Sequence, residues 1–456
     1  MSYSQIINNP LEIRLGTIPQ DESDKYISED GRHIAWIMQE NNRKLVFVDG
    51  KSIKVYEDVG SILGFIFSAN GQRFAYVTQK GNKQIVVVDD QRGNEYDNIG
   101  VLTFTGGIFS PDCMHVTYLA KNKQKWSVVV DDKKGREYDG IIFLLFSSDG
   151  KHIAYSATEE GKKWRIVLDG KPGLQYDEVH FPIFSPDSSH IAYMAKKDNK
   201  WFVIKDNEKI KQEYDDIDTW IIRKYWGGFW RFDSFNGPIF SPDSKHLAYV
   251  AKKNSKWFVV ADEKASDAFN EIKRGSMTFS PDSKQFAYSA NKDNRWFVVV
   301  NGQLGKDFDE IGSKILFTSD SLHLAYTGVK NGKWYIIFDN QINSAYDDLS
   351  DGSLISSPDG KRLAYIAKND KNKCYAVIDN KPGQEYDAVS NVKFSPDSKH
   401  VAYIANRENK EFIVLDGKPG TEYDEIISPS SLFISIDEIE FLAIKQKSFY
   451  RVKMKI

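Results

Sequence analysis

Seven of the eight histidines fall at one position of a recurring pattern: His33, His115, His152, His190, His246, His323 and His400. Each follows an aspartate by three residues, as His190 follows Asp187. Imidazole beside carboxylate is the material of metal centres and of acid–base pairs. The spacing points elsewhere. No copy of the pattern holds more than one such histidine, and equivalent residues of successive copies cannot converge on one ion at bond lengths of ~2 Å. The expectation is structural: hydrogen bonds among Asp, Ser and His that brace a turn inside each copy. His180 stands outside the pattern and reads as a surface residue. No metal site is expected.

Lysines recur in turns, at Lys121 and Lys123, Lys196 and Lys197, Lys252 and Lys253, and Lys368 and Lys371. Alone they suggest a face for an anionic ligand or nucleic acid. Acidic residues recur where the same face should lie, among them Asp97, Asp139, Asp177, Asp215, Asp309, Asp347, Asp387 and Asp424. The two sets largely offset each other, and exposed pairs contribute little singly. Trp126, Trp164, Trp201, Trp257, Trp296 and Trp334 open the same apolar run in consecutive copies. That fixed register suits packing between copies better than a sugar-binding platform.

Linear enzyme motifs are missing: there is no G-x-S-x-G, H-E-x-x-H, Walker loop, G-x-G-x-x-G or C-x-x-C. No catalytic residue and no cofactor is expected on that ground. A hydrolase or lyase site assembled from several copies would leave no linear trace, so an enzyme stays open as an alternative. Its residues would be sought where copies depart most from the pattern: Ser356, Cys374, Cys113 and the Phe67 copy with Ala69-Asn70.

The elements that must position these residues come from the repeat itself. Phe240 to Ile272 is a representative copy, FSPDSKHLAYVAKKNSKWFVVADEKASDAFNEI. Its opening turn recurs from Ile27, Phe67, Phe109, Phe146, Phe184, Phe240, Phe279, Phe317, Ser356, Phe394 and Phe433, eleven times, mostly at intervals of 38 to 40 residues. Short β-branched and aromatic runs such as RWFVVV at 295–300 are bounded by Gly, Pro, Asn, Asp and Ser. No apolar stripe holds a 3.6-residue period for long. Each copy reads as four strands. The first ends at the Phe of the opening turn and the fourth ends at Tyr-Asp-x-Ile. Pro, Asp and Ser make the turn between the first two.

Four short strands at this interval are the signature of an all-β fold, a β-propeller of about eleven blades. The FSPDSKHIAY-type segments resemble the WD40-like PD40 repeats, as in the TolB propeller and in prolyl-oligopeptidase-type enzymes. The resemblance implies the propeller fold. Two family features are not visible in this sequence: the extra N-terminal domain and secretion signal of TolB, and the α/β-hydrolase domain of the peptidases. Eleven blades suit one large ring or two rings of five and six. The last copy has material for three strands, and Leu11 to Ile18 lies where a fourth could close the last blade. The organisation expected is an N-terminal segment with a closing strand at 1–26 and a repeat array at 27–456.

One interval breaks the pattern: 56 residues separate Phe184 from Phe240. The excess lies at 218–239, DTWIIRKYWGGFWRFDSFNGPI, which reads as a hairpin turning at Gly227-Gly228 and as a boundary between two rings if there are two. It should join one blade to the next and project on the face of the lysine turns. Trp220, Arg223, Lys224, Tyr225, Trp226, Phe229, Trp230 and Arg231 are the candidate partner-binding residues, because Trp, Tyr and Arg dominate interface hot spots. The competing reading folds the hairpin over the ring mouth or between rings.

Composition supports a soluble scaffold. Hydrophobic residues make up 41% and charged residues 27%, and the formal charge of −3 argues against a chain given over to nucleic acid. Two distant cysteines suit a reducing compartment. With no apolar run long enough for a membrane span and no signal-like start, a cytoplasmic location is expected. The functional expectation is a non-enzymatic propeller that binds a protein partner. Anion or nucleic-acid binding by the lysine face is the further alternative.

Overall fold

A computed structural model describes the chain except residues 1–9, 18–24, 41–42, 54–61, 101–108, 162, 218–220, 227–228, 236 and 428–431; for 39–40, 43–44, 62–63, 221–226 and 229–235 it describes the backbone alone. Among the described residues every regular element is a strand. No helix is long and apolar enough to cross a membrane. Eleven antiparallel blades follow one another in chain order, as a β-propeller. We number them 1 to 11 from the sheet at 25–52 to the sheet at 425–455.

The blades fall into two compact units. Residues 1–54 and 305–456 form one, with blades 1 and 8 to 11. Residues 55–304 form the other, with blades 2 to 6 and blade 7 as far as Leu304.

Within a blade the second and third strands are the longest and best paired. In blade 5, Ile191–Lys197 pairs with Lys200–Lys205 through a tight turn at Asp198-Asn199. Both turn residues take positive φ, 51° and 63°, the conformation that short polar residues tolerate best. The His-x-Ala-Tyr run supplies the second strand, whose Ala and Tyr are buried in every blade that carries them. Tyr193, Tyr249, Tyr365 and Tyr403 are among the largest fully buried side chains. Each meets the tyrosine that closes the preceding blade: Tyr214 lies 6.0 Å from Tyr249, edge to face. Such contacts and the apolar clusters around them join neighbours. Val250 and Val259 of blade 6 pack with Phe269, Ile272 and Tyr288 at its border with blade 7.

The Tyr-Asp-x-Ile run is divided between two blades. Tyr214 bridges Trp201 at the outer end of blade 5. Asp216–Ile217 already pairs with Lys252 and Ala251 of blade 6. The tyrosine therefore ends a fourth strand, and the Ile begins the next blade's first strand. Alternation alone does not reveal a chain crossing between sheets, because both strands share the apolar pattern.

Closure by the N-terminal strand is borne out. Leu11–Thr17 pairs with Ser448–Lys455 as the fourth strand of blade 11, with a register shift between Arg14 and Gly16. Glu12 accepts hydrogen bonds from the Tyr423 hydroxyl and the Lys445 ammonium, each at 3.0 Å. Arg451 continues the joint into blade 1, donating to the Arg32 carbonyl at 2.7 Å and lying 3.0 Å from Asp49.

Candidate functional site

The histidine pattern builds a latch, with a different partner from the one three residues upstream. His190 Nδ1 lies 2.6 Å from Asp206 Oδ2, and Asp206 Oδ1 accepts the Ile191 amide at 3.0 Å. Asp206 sits at the turn after the third strand with φ 50°. One carboxylate thus clasps the start of the second strand through both a side chain and a backbone amide. The pairs His33–Asp49, His115–Asp131, His152–Asp169, His246–Asp262, His323–Asp339 and His400–Asp416 repeat the arrangement. Arg73–Asp89 and Arg362–Asp379 replace it in blades 2 and 9.

The upstream aspartate serves the opening turn. Asp187 accepts from the Ser185 hydroxyl at 2.5 Å and from the Ser189 amide at 3.0 Å. Those bonds, Ser185 first, hold its carboxyl well below the usual carboxylate range. The last serine of the turn reaches the neighbouring blade. Ser188 Oγ accepts the Asp149 amide at 3.1 Å, and Ser398 Oγ accepts the Asp359 amide at 3.0 Å.

Lysines and aspartates pair in place. Lys200 donates to Asp215 Oδ1 at 2.7 Å, and the Asn254 amide of the next blade donates to Asp215 Oδ2 at 2.8 Å. Asp97, Asp139 and Asp387 make the same double contact. Of the lysines singled out by sequence, Lys196 pairs with Glu178 at 2.9 Å and lies over the Trp201 ring, and Lys121 and Lys252 lie over Trp126 and Trp257. Trp201 is buried, and Trp126, Trp164, Trp257 and Trp334 pack against apolar clusters that span blade borders. Most of the repeat's conspicuous side chains are thereby committed to construction.

His180 is half-buried and belongs to an aromatic group. Its ring meets Trp201 edge to face at 5.3 Å, beside Phe143 and Phe181, whose rings are 4.5 Å apart. Burial pulls its pKa below the usual imidazole value, against the raising effect of Glu178 at 3.5 Å. Phe143 and Phe181 both take positive φ, 54° and 47°, at breaks in the first strands of blades 4 and 5. Periodicity passed over this group because a break in a strand leaves no mark on the apolar pattern.

The inserted segment does form a hairpin. Ile221–Trp226 and Phe229–Phe235 make a two-stranded sheet separate from every blade. The register sets Tyr225 opposite Trp230, Trp226 opposite Phe229, Lys224 opposite Arg231 and Arg223 opposite Phe232. Trp220 and the Gly227-Gly228 turn lie outside the described residues. The point of insertion differs from the expected one. The hairpin leaves the first strand of blade 6 after Ile217, and that strand resumes at Ile239–Phe240; both pieces pair with Leu247–Lys253. Other blades break register at the same place, between His180 and Ile183 in blade 5 and between Ser390 and Lys393 in blade 10. The hairpin is thus an enlarged version of a break that the repeat already contains, where one strand can loop out without losing its neighbours.

No family model matches the chain. No curated protein matches it either. The solved structures similar to it include these two. One is the crystal structure of the eukaryotic initiation factor, 12% identical, with a TM-score of 0.41 over 88% of this chain and 99% of that one. The other is TolB from Acinetobacter baumannii, 12% identical, with a TM-score of 0.27 over 68% of this chain and 78% of that one.

Proposed function

We propose that the protein is a non-enzymatic scaffold that binds a protein partner through the hairpin at 221–235. β-Propellers commonly serve as interaction scaffolds. The observation that carries the reading is the separate two-stranded sheet in blade 6, which adds to the chain without contributing a strand to any blade. Its sequence concentrates the residue types that dominate interface energetics. The repeat's histidines are engaged within each blade, and many of its aspartates and lysines pair with each other, which weakens both the metal and the anion-face alternatives. Cys113 and Cys374 are buried and unbonded, which suits a cytoplasmic setting.

Affinity capture tests the proposal. Full-length wild type and the double variant Trp226→Ala/Trp230→Ala are compared for recovered partners, with matched melting temperatures as the folding control. The proposal expects at least one partner to be lost from the variant. Unchanged recovery of every partner by a folded variant would reject it.

A further inference from the structure

We propose that the cleft between blades 2 and 3 is a binding site for a small neutral polyol of monosaccharide size. It is independent of the hairpin and lies wholly within the unit formed by residues 55–304. The cleft has a volume of about 310 Å³, at the lower end of the range typical of small-molecule sites.

The two blades beside it both depart from the repeat. Ala69-Asn70 replaces the Pro-Asp of the opening turn in blade 2, and Cys113 replaces its last serine in blade 3. Arg73 stands where most blades carry histidine. Its Nε donates to Asp89 at 2.7 Å, and its Nη1 donates to the carbonyls of Cys113 at 3.0 Å and Met114 at 2.8 Å. The guanidinium therefore holds the two blades at a fixed separation across one end of the cleft. The turns after the third strands are also unusual. Asp89-Asp90 and Asp131-Asp132 place an aspartate at a second positive-φ position, 61° and 60°, where Gly50, Asn207, Glu263, Gly302, Asn340 and Gly417 stand elsewhere. Aspartate is a less favourable choice there than glycine, and the turn alone does not call for it.

Asp132 turns into the cleft wall. It accepts from the Tyr118 hydroxyl at 3.2 Å and from the Asn94 backbone and side-chain amides at 3.2 and 2.9 Å. Opposite, Gly93 leaves the wall bare: a Cβ there would stand 3.0 Å from Asp132 Oδ1 and 3.6 Å from the Tyr118 hydroxyl. Val86, Val88 and Val116 supply apolar lining.

The charge arrangement selects the ligand class. Asp89 is paired with Arg73, Asp131 sits 2.7 Å from His115, Arg92 pairs with Glu95 at 2.9 Å, and Asp132 is met by the neutral donors of Tyr118 and Asn94. A charged ligand would have to compete with these internal pairs and would be desolvated for little net gain. Carboxylates only accept hydrogen bonds and guanidiniums only donate them, so a lining that interleaves the two is met by hydroxyls, which do both. A sugar ring adds a C–H face for the valines.

The test is saturation-transfer NMR on the full chain with four probes, glucose, galactose, ribose and myo-inositol, and with glycine and lysine as charged comparators. The expected result is a saturable signal from at least one polyol, with a Kd of about 1 mM or weaker. Gln91→Trp, which fills the mouth of the cleft from an exposed position, should weaken that binding by at least about tenfold with an unchanged melting temperature. Three results would overturn the proposal: no polyol binds, a charged comparator binds in preference to all four, or the folded Gln91→Trp protein binds as tightly as wild type.

Discussion

Ser244 of blade 6 accepts the backbone amide of Asp187 in blade 5, Oγ to N, at 3.0 Å. The hydroxyl is buried, and its residue takes φ 65°, a conformation that costs a non-glycine residue free energy. The opening turn of one blade is therefore also the joint to the blade before it. In blades 1, 2, 4 and 9 glycine takes this position with φ 67°, 68°, 74° and 76°. A Cβ at Gly150 would stand 2.7 to 2.9 Å from the carboxyl atoms of Asp112, so in blade 4 the neighbour's side chain fills the space instead. Ser244→Ala should destabilise the chain by about 0.5–1.5 kcal/mol, because it removes a hydrogen bond between two blades. Ser244→Gly should cost less, because relief at positive φ offsets part of the lost hydrogen bond. Urea unfolding of the two variants checks the order.

The histidine latch should be asymmetric. Asp206→Ala removes both the imidazole contact and the cap on the Ile191 amide, whereas His190→Ala removes only the first. A loss of about 1–2 kcal/mol is expected for the aspartate variant and about 0.5 kcal/mol for the histidine variant. Equal losses would show that the backbone bond contributes nothing. Chemical denaturation of both singles and the double variant measures the difference.

Acid should weaken the opening turns. Bonds from Ser147 and from the Lys151 amide lower the Asp149 carboxyl to about 2, and bonds led by Ser395 bring Asp397 to about 2, from an ordinary 3.8. A lowered folded-state pKa means stabilisation that is complete above pH 3.8 and lost as pH falls toward 2. The urea midpoint should drop across that window. The double variant Asp149→Asn/Asp397→Asn should show a shallower drop, and an unchanged slope would remove these two groups from the acid response.

His180 should titrate low. Desolvation lowers its pKa from 6.5 and outweighs the opposing pull of Glu178. Its imidazole signals in a pH-dependent NMR series should have a midpoint below 6.5, and the neutral ring should persist at pH 7. A midpoint at or above 6.5 would show that Glu178 governs the site.

Gly50 marks where the closing strand passes blade 1. It takes φ 83°, and a Cβ there would lie 2.1 Å from the Leu15 carbonyl oxygen. Gly50→Ala combines a strained backbone with a clash against main chain, so a loss of about 2–4 kcal/mol is expected. Thermal unfolding that is unchanged in this variant would mean that Leu11–Thr17 does not hold its place beside blade 1.

The sequence by itself determined the strand content, the number of blades and the closing role of Leu11–Thr17. Those properties follow from local alternation, turn chemistry and counting, which are written residue by residue. It also identified the segment at 218–239 as foreign to the repeat and a hairpin as its form. Tertiary structure alone decided who partners whom. His190 takes Asp206 from the far end of a strand pair and leaves Asp187, three residues away, to its own turn. Tyr214 and Asp216 are two residues apart yet belong to different blades, and the hairpin grows out of a strand break rather than from a link between blades. Periodicity reports which face of a strand is apolar. It is silent on which strand lies alongside, and in a structure made of near-identical copies that pairing decides whether a histidine, a lysine or a serine is a candidate for chemistry or a fastening within or between blades.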